Sequence, residues 1–232
     1  TLQENISEPA ELVVSLISYE DVTCNGFADG LININTVGGT PAYSYSWTST
    51  NSFTSNSQNI SNLDEGTYTV TITDDNGCTD NLSQNITEAG IMNIIPITSN
   101  FSGFEISCYG FSDGIIDLTT SNGTPPYIYN WTGPNSFTSN QEDISNLEAG
   151  DYIVSVTDQN NCTSQSTISL YSPQPLNIVP SNISDVSCNY TDDGFIEISV
   201  WGGVSNNDIY SYNWNGPNNF FSNQQDIYNL EE

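Results

Sequence analysis

The chain has 232 residues, 28 of them Asp or Glu and none Lys, Arg or His, giving a formal charge of −28 at neutral pH. Without cationic side chains nothing neutralises phosphate, which excludes nucleic acid as a partner and disfavours anionic membranes. A Ser–His triad, a Schiff base, a histidine-held metal and a lysine isopeptide crosslink are all chemically barred, so the composition predicts no enzyme. Stability must come from burial, hydrogen bonds and disulfides, working against like-charge repulsion. No apolar run reaches the roughly 18 residues of a membrane span, so no membrane insertion by this segment is expected.

In chain order, residues 1–8 (Thr-Leu-Gln-Glu-Asn-Ile-Ser-Glu) match Asn81-Leu-Ser-Gln-Asn-Ile-Thr-Glu88. They read as the last strand of a preceding repeat. Next comes Cys24-Asn-Gly-Phe-Ala-Asp-Gly30, which recurs as Cys108-Tyr-Gly-Phe-Ser-Asp-Gly114 and Cys188-Asn-Tyr-Thr-Asp-Asp-Gly194. The strand pattern Ile32, Ile34 follows, with Ile116, Leu118 and Ile196, Ile198, Val200 as its counterparts. A Gly38-Gly-Thr-Pro41 turn, echoed by Asn122-Gly-Thr-Pro125, leads into Tyr-x-Tyr-x-Trp segments ending at Trp47, Trp131 and Trp214. In the third copy the turn is lengthened by an insertion, Gly203-Val-Ser-Asn-Asn-Asp208. Phe loops at Phe53, Phe137 and Phe220 come next, then Ile-x-Asn-Leu ending at Leu63, Leu147 and Leu230. Strands beginning at Tyr68 and Tyr152 close the pattern before Asp74-Asp-Asn-Gly-Cys78 and Asp158-Gln-Asn-Asn-Cys162.

Almost all of this alternates with period 2, the mark of antiparallel strands with one wet face. About seven short strands with turns every 8 to 12 residues predict an all-β fold of tandem immunoglobulin-like antiparallel sandwiches, about 80 residues each. The divisions expected are 9–89, 90–172 and 173–232, the last cut before its final strands, within a longer array. Trp47, Trp131 and Trp214 are expected in the core. Leu-x-x-Gly-x-Tyr places Tyr68 and Tyr152 in tyrosine corners. Short proline-bearing linkers predict semi-rigid joints.

The five cysteines are regularly spaced: the step from Cys24 to Cys78 equals the step from Cys108 to Cys162. The spacing predicts a disulfide inside each copy, with the partner of Cys188 outside the fragment, and hence an oxidising, extracellular setting. No cofactor is required by any motif. Oxygen ligands suit Ca²⁺, and the candidates are Asp29, Asp113, Asp192 and Asp193 before glycine, with Asp74, Asp75 and Asp158 in the turn before the second cysteine. The alternative for each is a turn carboxylate bonded to its own backbone. Phe53, Phe137, Phe220 and the outward Trp201 are candidate contact residues for glycans, surfaces or a neighbouring domain.

The combination Cys-x-Gly-x-x-Asp-Gly, Gly-Gly-Thr-Pro-x-Tyr-x-Tyr-x-Trp and Leu-x-x-Gly-x-Tyr-x-Val resembles the SprB repeat, a module of very long bacterial surface adhesins related to PKD-type domains. The resemblance implies display on the outer bacterial surface after type IX secretion, and a part in attachment and gliding. Its implied partners are extracellular surfaces, glycans, surface proteins and neighbouring repeats. Two alternatives are a multivalent glycan- or protein-binding module and a spacer beside a catalytic domain elsewhere in the parent chain.

Overall fold

The computed structural model describes residues 8–188, 191–204 and 210–231. The stretch matched to a preceding repeat, apart from Glu8, and most of the longer third turn lie outside the described residues. Among the described residues strands carry nearly all the regular structure, and no helix is long and apolar enough to cross a membrane.

The first copy contains β1 (Val13–Glu20), β2 (Gly30–Val37), β3 (Ser44–Ser49), β4 (Thr54–Ser55), β5 (Ile60–Leu63), β6 (Gly66–Thr73) and β7 (Thr79–Ile86). The second repeats them as β8 (Asn93–Thr98), β9 (Gly114–Ser121), β10 (Ile128–Thr132), β11 (Thr138–Ser139), β12 (Ile144–Leu147), β13 (Gly150–Thr157) and β14 (Thr163–Leu170). The third has β15 (Asn177–Ser184), β16 (Gly194–Trp201), β17 (Trp214–Asn215), β18 (Phe221–Ser222) and β19 (Ile227–Leu230).

Strand order is β1-β2-β5 against β4-β3-β6-β7 in the first copy, and β12-β9-β8 against β11-β10-β13-β14 in the second. The third pairs β15-β16-β19, with β17-β18 as a separate ribbon. The ladders of β1 with β2 and of β6 with β7 are antiparallel. This is the two-sheet immunoglobulin-like sandwich that the alternation required.

Contacts divide the chain into two compact units. The first holds the described residues of Thr1–Ile94 with Thr120–Ile128 and Val156–Ser164. The second holds Ile95–Thr119, Tyr129–Ser155 and the described residues of Gln165–Glu232. In the first, Ile32 and Ile34 of β2 face Trp47 of β3 and Tyr68, Val70 and Ile72 of β6, all essentially buried. In the second, Ile116, Trp131, Leu147, Tyr152 and Val154 are buried. The Trp47 and Trp131 indoles each donate to a backbone carbonyl, Ser57 and Gln141, at 2.9 Å, so burial strands no polar group.

Trp214 departs from its two counterparts. Its indole still donates to the Gln224 carbonyl at 2.9 Å, but the ring is only half-buried. The ladder that covers Trp47 is β6, whose Val70 lies opposite it, and among the described residues the third copy has no such strand.

Both tyrosine corners form. The Tyr68 hydroxyl donates to the Asp64 carbonyl at 3.0 Å, and Tyr152 to Glu148 at 3.1 Å.

Candidate functional site

The cysteines are joined differently from what their spacing predicts. Cys24 is bonded to Cys162, 138 residues away, while Cys78, Cys108 and Cys188 are exposed thiols. The expected pairs Cys24–Cys78 and Cys108–Cys162 are therefore corrected. The reason is strand geometry. Cys24 lies before the start of β2, whereas Cys78 lies in the turn that meets the far end of that strand: Asp74 of this turn accepts from Thr40, just past β2. The length of β2 separates the two by roughly 23 Å, and a disulfide needs Cα atoms about 4.4–6.8 Å apart.

Each partner is held by its own loop. Around Cys24, Glu88 accepts from the Asn25 side chain at 2.5 Å and from the Gly26 N–H at 2.9 Å. The Asp29 carboxylate receives the Thr23 N–H at 3.0 Å and the Thr23 hydroxyl. Asp113 takes the same pair of bonds from Ser107, and Asp193 accepts from the Ser187 N–H. Hydroxyl bonds, with the N–H bonds behind them, hold all three acids below the usual carboxylate range, Asp193 at about 2.

Cys162 is presented by a second device. Buried Asp158 accepts from the N–H groups of Thr124, Asn160 and Cys162 at 2.9, 2.8 and 2.9 Å. Burial pushes this carboxyl up, but the three donors outweigh it and leave it below the ordinary value. Asp74 repeats the arrangement with Thr40, Asn76 and Cys78, the Thr40 bond being the largest cause of its lowering. The aspartates before both cysteines thus tie the cysteine turn to the Gly-Thr turn of the same copy.

That geometry bears on calcium. The carboxylates of Asp29, Asp74, Asp113, Asp158 and Asp193 all point at N–H or O–H donors, whose positive ends face where a cation would sit. Among the described residues no three or more acids and cysteines gather into a set able to hold a metal. Asp192 and Asp75 take no part in the carboxylate bonds just described.

The Phe loops resolve into two kinds of contact. Phe53 packs edge-on against Tyr68 with ring centroids 5.4 Å apart, and Phe137 against Tyr152 at 5.3 Å. Phe220 is half-buried, and the exposed ring of that loop is its neighbour Phe221. Trp201 is half-exposed on the outer face of β16. Sequence reasoning passed over two residues of the same sheet: Phe195 stacks at 5.8 Å on Tyr228, whose hydroxyl donates to Glu197 at 2.8 Å. The signal was present, because these positions hold Leu31 and Ser61 in the first copy and Ile115 and Ser145 in the second.

A repeated two-sheet sandwich with corner tyrosines and a loop-borne cystine defines a tandem immunoglobulin-like β protein. More narrowly, two stretches of the chain, residues 17–52 and 105–136, match the family model of the SprB repeat. No curated protein matches it significantly. Similar solved structures include the two-domain DIP-gamma IG1+IG2 fragment, 14% identical over 68% of this chain and 97% of that one, TM-score 0.32. Drosophila OTK extracellular domains 3–5 are 8% identical over 94% and 89%, TM-score 0.28. A C-terminal 282-residue fragment of intimin, solved with the intimin-binding domain of the translocated intimin receptor, is 17% identical over 75% and 67%, TM-score 0.30. At such scores the fold assignment rests on the strand pairing above, and nothing is carried over from these proteins.

Proposed function

We propose that this chain is a length of the extended stalk of a very large bacterial cell-surface adhesin, serving surface attachment and gliding, and exported by the type IX route. The observation that carries the reading is what the copies keep. Inward residues recur, as in Ile32 and Ile116, Trp47 and Trp131, Tyr68 and Tyr152, whereas outward ones such as Asn33, Asp117 and Glu197 change. A stalk needs only its core and its turns, and a uniformly anionic surface keeps its copies apart. We place the copies at 9–89, 90–172 and 173–232, with the lone carboxylates acting as turn caps rather than metal ligands. No catalytic constellation is assigned to it.

One observation favours a second reading. The outer pair Phe195 and Tyr228, with Glu197 bonded to the Tyr228 hydroxyl and the half-exposed Trp201 at the far end of the same strand as Phe195, would suit the third copy to hold a glycan or a partner protein. The two readings part in one experiment on living source cells, using a fluorescent antibody raised against this chain. Label that travels along the cell, with attachment lost on antibody binding, supports the mobile adhesin. Label that stays fixed while attachment continues refutes it.

A further inference from the structure

The cystine has a consequence for the array as a whole. Cys24 is the first cysteine of one copy and Cys162 the second cysteine of the next. We propose that this bond is one rung of a staggered series, in which the first cysteine of each copy is joined to the second cysteine of the copy that follows. The proposal rests on the reading of the chain as a stretch of repeats.

The two units supply independent support. In the first unit the cystine borders a cleft lined by Cys24, Asn25, Gly90, Met92, Gly123 and Thr124. In the second unit a cleft is lined by Cys108, Tyr109, Gln174, Leu176, Gly203 and Val204. Taken in order, these are the same six positions one copy later. Cys108 therefore occupies the place of Cys24 in a cleft of the same construction, as an exposed thiol. The series also accounts for all three unbonded cysteines. Cys78 is a second cysteine and calls for a first cysteine one copy earlier; Cys108 and Cys188 are first cysteines and call for second cysteines one copy later.

The chemistry balances by thiol–disulfide exchange with a dithiol oxidase of the extracytoplasmic space. One thiolate attacks the oxidase disulfide, and the second displaces it from the mixed disulfide. One protein disulfide forms while the oxidase disulfide becomes two thiols. The rungs would also redirect force. Tension entering before Cys24 crosses the sulfurs to Cys162 and bypasses the residues between them. Because Cys108 lies inside that loop, successive loops overlap, and the unfolded array could not be drawn out to its full contour.

Three measurements test this without reference to adhesion, so failure here is distinct from failure of the stalk reading. First, the oxidised chain is digested with pepsin or Asp-N, since trypsin has no Lys or Arg to cut, and mapped without reduction. A Cys24–Cys162 linked peptide supports the series; a Cys24–Cys78 or Cys108–Cys162 peptide overturns it. Second, the second-copy segment 148–172 is appended directly after Leu230. This sets a new cysteine as far beyond Leu230 as Cys162 lies beyond Leu147. The series joins that cysteine to Cys108; joining to Cys188 instead overturns it. Third, in single-molecule stretching the oxidised chain falls short of the reduced one by roughly 450–500 Å, the contour of the 138 residues spanned. Cys162→Ser should abolish the shortfall and Cys78→Ser should leave it. Equal oxidised and reduced lengths, or loss of the shortfall in Cys78→Ser, refute the load bypass.

Discussion

Replacing Phe53 and Tyr68 singly and together by leucine asks whether the Phe loop belongs to the core or is free to meet a ligand. The Tyr68 hydroxyl donates to the Asp64 carbonyl at 3.0 Å, and the ring meets Phe53 edge-on at 5.4 Å. Asp64 is exposed, so water can take over its carbonyl when the hydroxyl is gone. Tyr68→Phe should therefore cost about 1 kcal/mol, the ordinary net worth of one hydrogen bond. Tyr68→Leu also loses much of a buried ring and should cost about 3 kcal/mol. An edge-to-face pair contributes about 0.5–1.5 kcal/mol beyond the area it buries. The double-mutant cycle should return a coupling in that range, read as midpoint shifts in urea unfolding monitored by tryptophan fluorescence. In a sandwich of this size about 1 kcal/mol moves Tm by about 4–8 °C, so a melting curve resolves it as well. Additivity within about 0.3 kcal/mol would mean the rings are independent. The assignment of Phe53 to the core would then fail.

Asp193 is held at a pKa of about 2 in the folded chain by the Ser187 hydroxyl and N–H and by Thr191, against an ordinary 3.8. The folded form thus binds fewer protons than the unfolded one. Its contribution is complete above about pH 3.8 and lost as pH falls towards 2, so Asp193→Asn should flatten the acid limb of a stability–pH curve. With 28 acids and no cationic side chain, added NaCl should raise Tm by screening repulsion, and a fall would show that the charges are not the destabilising term. Millimolar Ca²⁺ should add no more than an equal ionic strength of NaCl, and EDTA should change nothing; a saturable calorimetric signal would reinstate the aspartates as ligands. At Gly38, φ is +73° and a Cβ would lie 1.8 Å from the Glu11 carbonyl oxygen, so Gly38→Ala should destabilise the first copy by at least roughly 2 kcal/mol; an unchanged Tm would refute the close crossing.

The sequence by itself determined the repeat, the strand character and the corner tyrosines. Period-2 alternation fixes which face of a strand is buried, and Leu-x-x-Gly-x-Tyr is a local signal read within a few residues. It also determined that nothing built on a cationic side chain occurs here. Tertiary structure alone decided what the cysteines do. Their equal steps along the chain recur whichever ends of a strand the cysteines occupy, and only the folded topology puts Cys24 before β2 and Cys78 beyond its far end. Likewise Phe195 and Tyr228 belong to separate strands with a long stretch of chain between them, and only the register of β16 against β19 makes them neighbours. Local patterns dictate strands because the alternation is encoded residue by residue. Pairings across the fold depend on where several strands end, which no single stretch of sequence carries.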